Sequence, residues 1–167
     1  MIPTSSVDEI SLETTFAYNS GADGNMFDVR ALADDVYVTS FDISSYVFDQ
    51  QGDVKVYTRA GSYVSHEGSA DGWTLIYDKS DVQQQGRGVV TALGDFAEAV
   101  KIPGGSVQSF YVWTEKKVVY TKGNTVGDVF AKDDNLEFYE GIGLSHFFGS
   151  SYSPRVWNGS IHYHTAR

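Results

Sequence analysis

Residues 24–43 read GNMFDVRALADDVYVTSFDI, and their alternation constrains the fold more than any other stretch. Phe27, Val29 and Ala31 recur at period two, as on one face of a β-strand. Ala33-Asp34-Asp35 reads as a short acidic turn. Beyond it Val36 and Val38 share a face, but Phe41 and Ile43 stand at odd spacing from them. A strict pleat sends that second pair to the opposite side. A β-bulge near Thr39-Ser40 returns all four to one core face, whereas a central strand covered on both sides needs no bulge.

The rest of the chain repeats this grammar. Residues 12–18 read as a first strand and 19–25 as a turn-rich loop. Residues 46–51 lead to a Gly52-Asp53 turn. In 54–59, Val54, Val56 and Thr58 alternate with Lys55, Tyr57 and Arg59. Residues 60–72 form a long loop, a kind of segment that often carries function. Trp73, Leu75 and Tyr77 mark a strand over 73–78, followed by a polar, Gln-rich stretch over 79–86. Residues 88–93 read as a strand and 95–100 as one helical turn. Residues 107–114 are apolar on both faces. Glu115-Lys116 reads as a two-residue connection to a hairpin partner over 117–122. A strand over 136–140 and a Gly/Ser-rich loop over 141–153 follow. A final strand over 155–164 is broken at Asn158-Gly159. About ten short strands punctuated by turns predict an all-β fold, an antiparallel β-sandwich of jelly-roll type. One domain spans 12–164, with a loose lead-in over 1–11.

Composition narrows the function. With 167 residues the chain suits one domain with a sizeable core. Twenty-two acidic side chains against 12 basic ones give a net charge of -10, which disfavours nucleic acid and anionic membrane as partners. With 0 cysteines, disulfides, thiolate catalysis and Cys-type metal sites are excluded. No apolar run is long enough to span a bilayer as a helix. The first residues lack a signal-peptide pattern, so the chain reads as intracellular or as a mature segment behind an added Met.

Several side chains are candidates for chemistry. Asp23, Asn25 and Asp28 in one Gly-rich segment, and Asp133 with Asn135 in an acidic turn, offer the oxygen donors that calcium takes. The competing reading for both is an Asx-turn that caps a loop. His162 and His164 at i, i+2 have chelating spacing, with a cross-strand pair as the alternative. Glu67, Glu137 and Glu140 are the carboxylates available to a hydrolase, but no Gly-x-Ser-x-Gly elbow is present. Tyr63 and Trp157 are expected near a surface, where rings stack on sugars, and Trp73 and Trp113 in the core. Asn158-Gly159-Ser160 matches a glycosylation acceptor, or a turn inside the last strand.

The phrases GNMFDV, TSFDI, VKVYTRAGSY, GWTLI, IPGGSVQSFYV, VVYTKG and YSPRVWNGSIHY occur in that order. Over about residues 24–163 the chain thereby resembles a β-sandwich module of secreted or surface proteins of bacteria and some algae. The resemblance implies a fold and an extracellular or cell-surface setting, without a catalytic residue. The expected function is a non-catalytic surface or matrix module. It binds glycan or a surface protein through loops 60–72 and 141–153, with contacts from Tyr63, His66, His146, Tyr152 and Trp157, and calcium is the one candidate cofactor for ordering the loops. A structural subunit that self-assembles into a homo-oligomer through strand edges or sandwich faces is the alternative, and a hydrolase the third.

Overall fold

The computed structural model describes residues 8–17 and 20–165. Among them there is no helix. The strands are β1 (Ile10–Glu13), β2 (Ser20–Ala31), β3 (Val36–Ile43), β4 (Phe48–Ala60), β5 (Thr74–Gln85) and β6 (Thr91–Ile102). They continue as β7 (Val107–Lys122), β8 (Val129–Lys132), β9 (Leu136–Tyr139), β10 (Gly141–Leu144), β11 (Ser151–Trp157) and β12 (Gly159–His164). Two antiparallel sheets pack face to face as a β-sandwich. The smaller has the order β1-β12-β3-β6, and the larger β5-β4-β7-β11-β10-β2-β9-β8 with a further β7–β2 pairing. That pairing closes a circuit, β7 to β2 to β10 to β11 and back to β7.

The stretch 24–43 behaves as its pattern requires. Phe27, Val29 and Ala31 of β2 are fully buried in the core between the sheets. So are Val36, Val38, Phe41 and Ile43 of β3. The register of β3 on β6 shifts between Val38 and Ser40 and again between Ser40 and Asp42. The bulged arrangement is therefore the one adopted. The acidic turn does not close a hairpin, because β2 belongs to the large sheet and β3 to the small one. It carries the chain across the sandwich, and both strands face the same filling.

The filling is aromatic. Phe27 stacks on Trp157 at 4.6 Å between ring centroids, and Phe41 meets Trp157 at 5.0 Å and Phe110 at 5.1 Å edge-on. Offset and edge-on rings gain the quadrupole term that a face-to-face sandwich loses. Trp157, expected near a surface, is fully buried at the centre of this cluster.

Several expected boundaries move. The strand read over 12–18 is β1, which ends at Glu13; Tyr18 and Asn19 lie outside the described residues, as do 1–7. The loop read over 19–25 is the start of β2. Gly52-Asp53 is a register shift inside one continuous β4 rather than a turn. The Gln-rich stretch continues β5 to Gln85, and 95–100 is strand, not a helical turn. Glu115-Lys116 opens no hairpin. β7 runs through it for 16 residues, with β4 on its first part, β11 on its last and β2 along both. That dipeptide has no residue suited to a tight hairpin turn; it sits in a bulge, where the β2 ladder skips from Trp113 to Val118 and Lys117 takes a φ of 75°. The break at Asn158-Gly159 moves the chain from β11 in one sheet to β12 in the other. Asn158 is fully buried, so this turn does not present the glycosylation acceptor to solvent.

Candidate functional site

The large sheet also carries an apolar cluster on the face turned away from the sandwich core. In β4, Val54, Val56 and Thr58 point inward, so Lys55, Tyr57 and Arg59 lie on the outer face by the pleat. Tyr57 pairs with Tyr111 and Lys55 with Trp113 across the β4–β7 ladder. Met26, Ile142 and Leu144 join Tyr111 in the same cluster, with Tyr63, Trp73 and Phe148.

Two loops close over this face: residues 61–73, the first loop expected from the sequence, and 145–150, the middle of the second, whose ends 141–144 and 151–153 are strand in β10 and β11. Phe148 meets Tyr111 edge-on at 4.6 Å, and its N–H donates to the Tyr111 hydroxyl at 3.1 Å. Trp73 lies 6.1 Å from Phe148, so residues 61–73 and 145–150 touch each other above the sheet. Phe147 packs 5.7 Å from both Tyr57 and Trp113 yet stays 44% exposed. It is the outermost ring of the cluster. Tyr57 and Trp113 are half-buried beneath it, and the Lys55–Asp78 ion pair, at 3.0 Å, borders them.

Each loop is held by an aspartate of β2. Asp28 accepts from the Ser62 hydroxyl at 2.6 Å and from the Tyr63 N–H at 3.2 Å. Asp23 accepts from the His146 N–H at 2.5 Å. Burial raises the Asp28 pKa, and the bonds from Ser62 and Tyr63 pull it back in part. The Trp73 indole N–H closes the first loop on itself by donating to the His66 carbonyl at 2.9 Å. His146 and Phe148 both have positive φ, 62° and 53°, backbone conformations that cost energy and are held here by packing.

The candidate residues from the sequence separate in space. Tyr63 is buried under its own loop, while His66, His146 and Tyr152 are exposed. Trp157 is in the opposite layer of packing, in the core, and reaches no surface. Asn25 is fully buried and donates to the Ile142 carbonyl at 3.2 Å. Asp133 caps its turn by accepting from the N–H groups of Asn135 and Leu136, both at 2.8 Å, and takes the Tyr163 hydroxyl at 2.5 Å. Asn135 donates to that same hydroxyl. Among the described residues no three His, Asp or Glu side chains come together as a group able to hold a metal ion. His162 pairs with Asp42 at 2.8 Å, whereas His164 stacks on Tyr37 at 5.1 Å. Glu140 is buried and accepts from the N–H groups of Asn124 at 2.6 Å and Thr125 at 3.1 Å, a turn-holding role.

Sequence reasoning missed Tyr57, Lys55 and Asp78. The signal was there: Tyr57 sits opposite Val54 and Val56 in the alternation, on a face that reads as solvent unless loops are known to cover it. No family model matches the chain, and no curated protein matches it. Among the described residues, no helix is long and apolar enough to cross a membrane.

Proposed function

We propose that the chain is a non-catalytic recognition module that binds glycan on the outer face of its large sheet. The carrying observation is Phe147, exposed above half-buried Tyr57 and Trp113, with Lys55 and Asp78 at the border. Rings of this kind take the apolar face of a pyranose, and an adjacent cation and carboxylate bond its hydroxyls. The loops are fastened by Asp23 and Asp28, so the surface is pre-organised and little ordering cost falls on binding. A secreted or cell-surface setting rests on the ordered phrases of the sequence.

The strand order supports the jelly-roll reading. With β8 to β11 set aside as an insertion, the remaining eight strands alternate between orders β1-β12-β3-β6 and β5-β4-β7-β2. An alternation of this kind is what a double Greek key produces, and it favours a jelly roll over other sandwich topologies.

The test is a glycan array followed by calorimetry, with and without EDTA. Phe147→Ala is expected to lower affinity about tenfold or more, the loss typical of a central aromatic contact. It leaves the fold intact because the ring is half in solvent. No binding to any glycan in either condition sinks the reading.

Self-assembly is a second reading, favoured by one observation. β5 and β6, each 12 residues long, pair on one side only and lie at the same open end of the sandwich. Such edges are templates for another strand.

A further inference from the structure

The chain has 12 basic side chains among 22 acidic ones, so most cations have carboxylates to choose from. Arg30, Lys55 and Lys101 are paired in that way. Arg87, Lys117 and Arg155 make no ion pair with a carboxylate among the described residues. They lie instead over tyrosine rings along one side of the molecule. The Arg87 guanidinium is 4.3 Å from the Tyr46 ring and the Lys117 ammonium 5.8 Å from it. Arg155 is 5.1 Å from Tyr120 and 6.0 Å from Tyr152. Glycine at position 21 is what lets Tyr46 in, since a Cβ there would stand 2.5 Å from the ring.

Between these groups is a pocket of about 210 Å³, lined by Lys117, Tyr120, Tyr152, Ser145 and Asp23 together with the start of β2. Its charged lining is one cation, Lys117, and one carboxylate, Asp23, with Arg155 beside the Tyr120 and Tyr152 rings. Burial alone would raise the Tyr120 hydroxyl pKa. Hydrogen bonds with Ser20 and Arg155 and the charges of Arg155 and Lys122 bring it below the ordinary value instead. Arg155 spends one Nη1 bond on the Pro154 carbonyl at 2.8 Å, and its Nε has no acceptor. Asp23 lines the same pocket and would repel an anion in contact with it. A ligand therefore has to present an acidic group toward Lys117 and a hydroxyl toward Asp23.

We propose that this pocket binds an acidic sugar residue, one that carries a ring carboxylate. Lys117 and the Arg155 guanidinium attract the carboxylate, Tyr152 takes the ring face, and Asp23 accepts from a hydroxyl. A cation over a tyrosine keeps its charge while its stem stays packed, which preserves an attractive field on a protein of opposite overall sign. Ser145 and Asp23 also belong to the Phe147 loop and its anchor, so the pocket adjoins the glycan face. The inference rests on the glycan reading and names its substrate class.

The test is calorimetric titration with an oligogalacturonate, with its carboxyl-reduced counterpart and with inorganic sulfate. The wild-type chain is compared with Lys117→Gln, Tyr152→Ala and Phe147→Ala. Lys117 and Tyr152 are both exposed, so neither variant threatens the fold, and thermal melts check this. The uronate is expected to bind about tenfold more tightly than the reduced oligomer, the worth of one charge-assisted contact. Added salt and either pocket variant remove that preference. Equal binding of the two oligomers, lost in Phe147→Ala and kept in Lys117→Gln, overturns the acidic site while the glycan face stands. Sulfate binding as strong as uronate binding, or no uronate binding at all, also overturns it. The glycan array then decides the fate of the broader reading separately.

Discussion

Trp157 stacks on Phe27 and contacts Phe41 and Phe138, joining the two sheets through one side chain. Trp157→Ala is expected to cost roughly 3–5 kcal/mol, the range for large aromatic truncations in a core. Its indole Nε1 is buried without a hydrogen-bond partner, which already carries a desolvation penalty. Trp157→Phe gives up volume but removes that orphan donor, so its cost should be less than half that of the alanine variant. Urea denaturation of the three proteins measures both, and equal losses for the two variants would refute the account. Nothing in the local sequence of Trp157 distinguishes core from rim. It follows a proline-containing strand start and precedes Asn-Gly, a context that reads as an exposed turn. Only the crossing between sheets at Asn158, whose Nδ2 donates to Thr121 and to the Val156 carbonyl, turns the ring inward.

Elements were legible where alternation was strict and illegible where partners decide. The β3 bulge was one of two readings open to Val36, Val38, Phe41 and Ile43, since a strand covered on both faces buries all four as well; the register shifts on β6 decide for it. The continuity of β7 and β4 could not be read, since a Glu-Lys or Gly-Asp pair reads as a turn unless neighbouring strands pair on either side of it, here around a register shift in each. The outer aromatic face was half legible: the two loops stood out by length, but the sheet beneath them did not. The free edges of β5 and β6 carry charge in their exposed positions, Asp78, Lys79 and Asp81 on one and Asp95, Glu98 and Lys101 on the other. Edge charges of this kind oppose edge-to-edge pairing. Leu75, 43% exposed on β5, is the large apolar exception. If the edges assemble, sedimentation should register more dimer as salt screens the charges, and Leu75→Lys should abolish it. A monomer at high protein concentration in both low and high salt would retire self-assembly.

Across the whole molecule, tyrosines couple stability to alkaline pH. Tyr63, Tyr111 and Tyr163 are held above the ordinary value of 10.0, in each case chiefly by burial. For Tyr163 the hydrogen bond to Asp133 adds to the rise. Unfolded, these phenols ionise near 10.0; folded, they keep their protons to higher pH. Their contribution is complete below 10.0 and is lost as pH climbs toward the folded values, at about 1.4 kcal/mol per tyrosine per pH unit. Guanidinium midpoints measured from about pH 8 to about pH 11 should fall beyond about pH 10, less steeply in Tyr163→Phe. Midpoints that stay level throughout would contradict the burial of all three rings.

β12 lies between β1 and β3, pairing with Ile10 through Glu13 on one edge and with Tyr37 through Ile43 on the other. On a ribosome adding roughly 5–20 residues per second, β1 and β3 emerge early and must wait for a strand made much later. Throughout that interval Phe41 lacks the Trp157 ring that packs on it, and the nascent small sheet has a gap shaped for any passing strand. Folding of this chain is thus closed by a late-arriving keystone, and the interval before it arrives is when a chaperone would have most to protect.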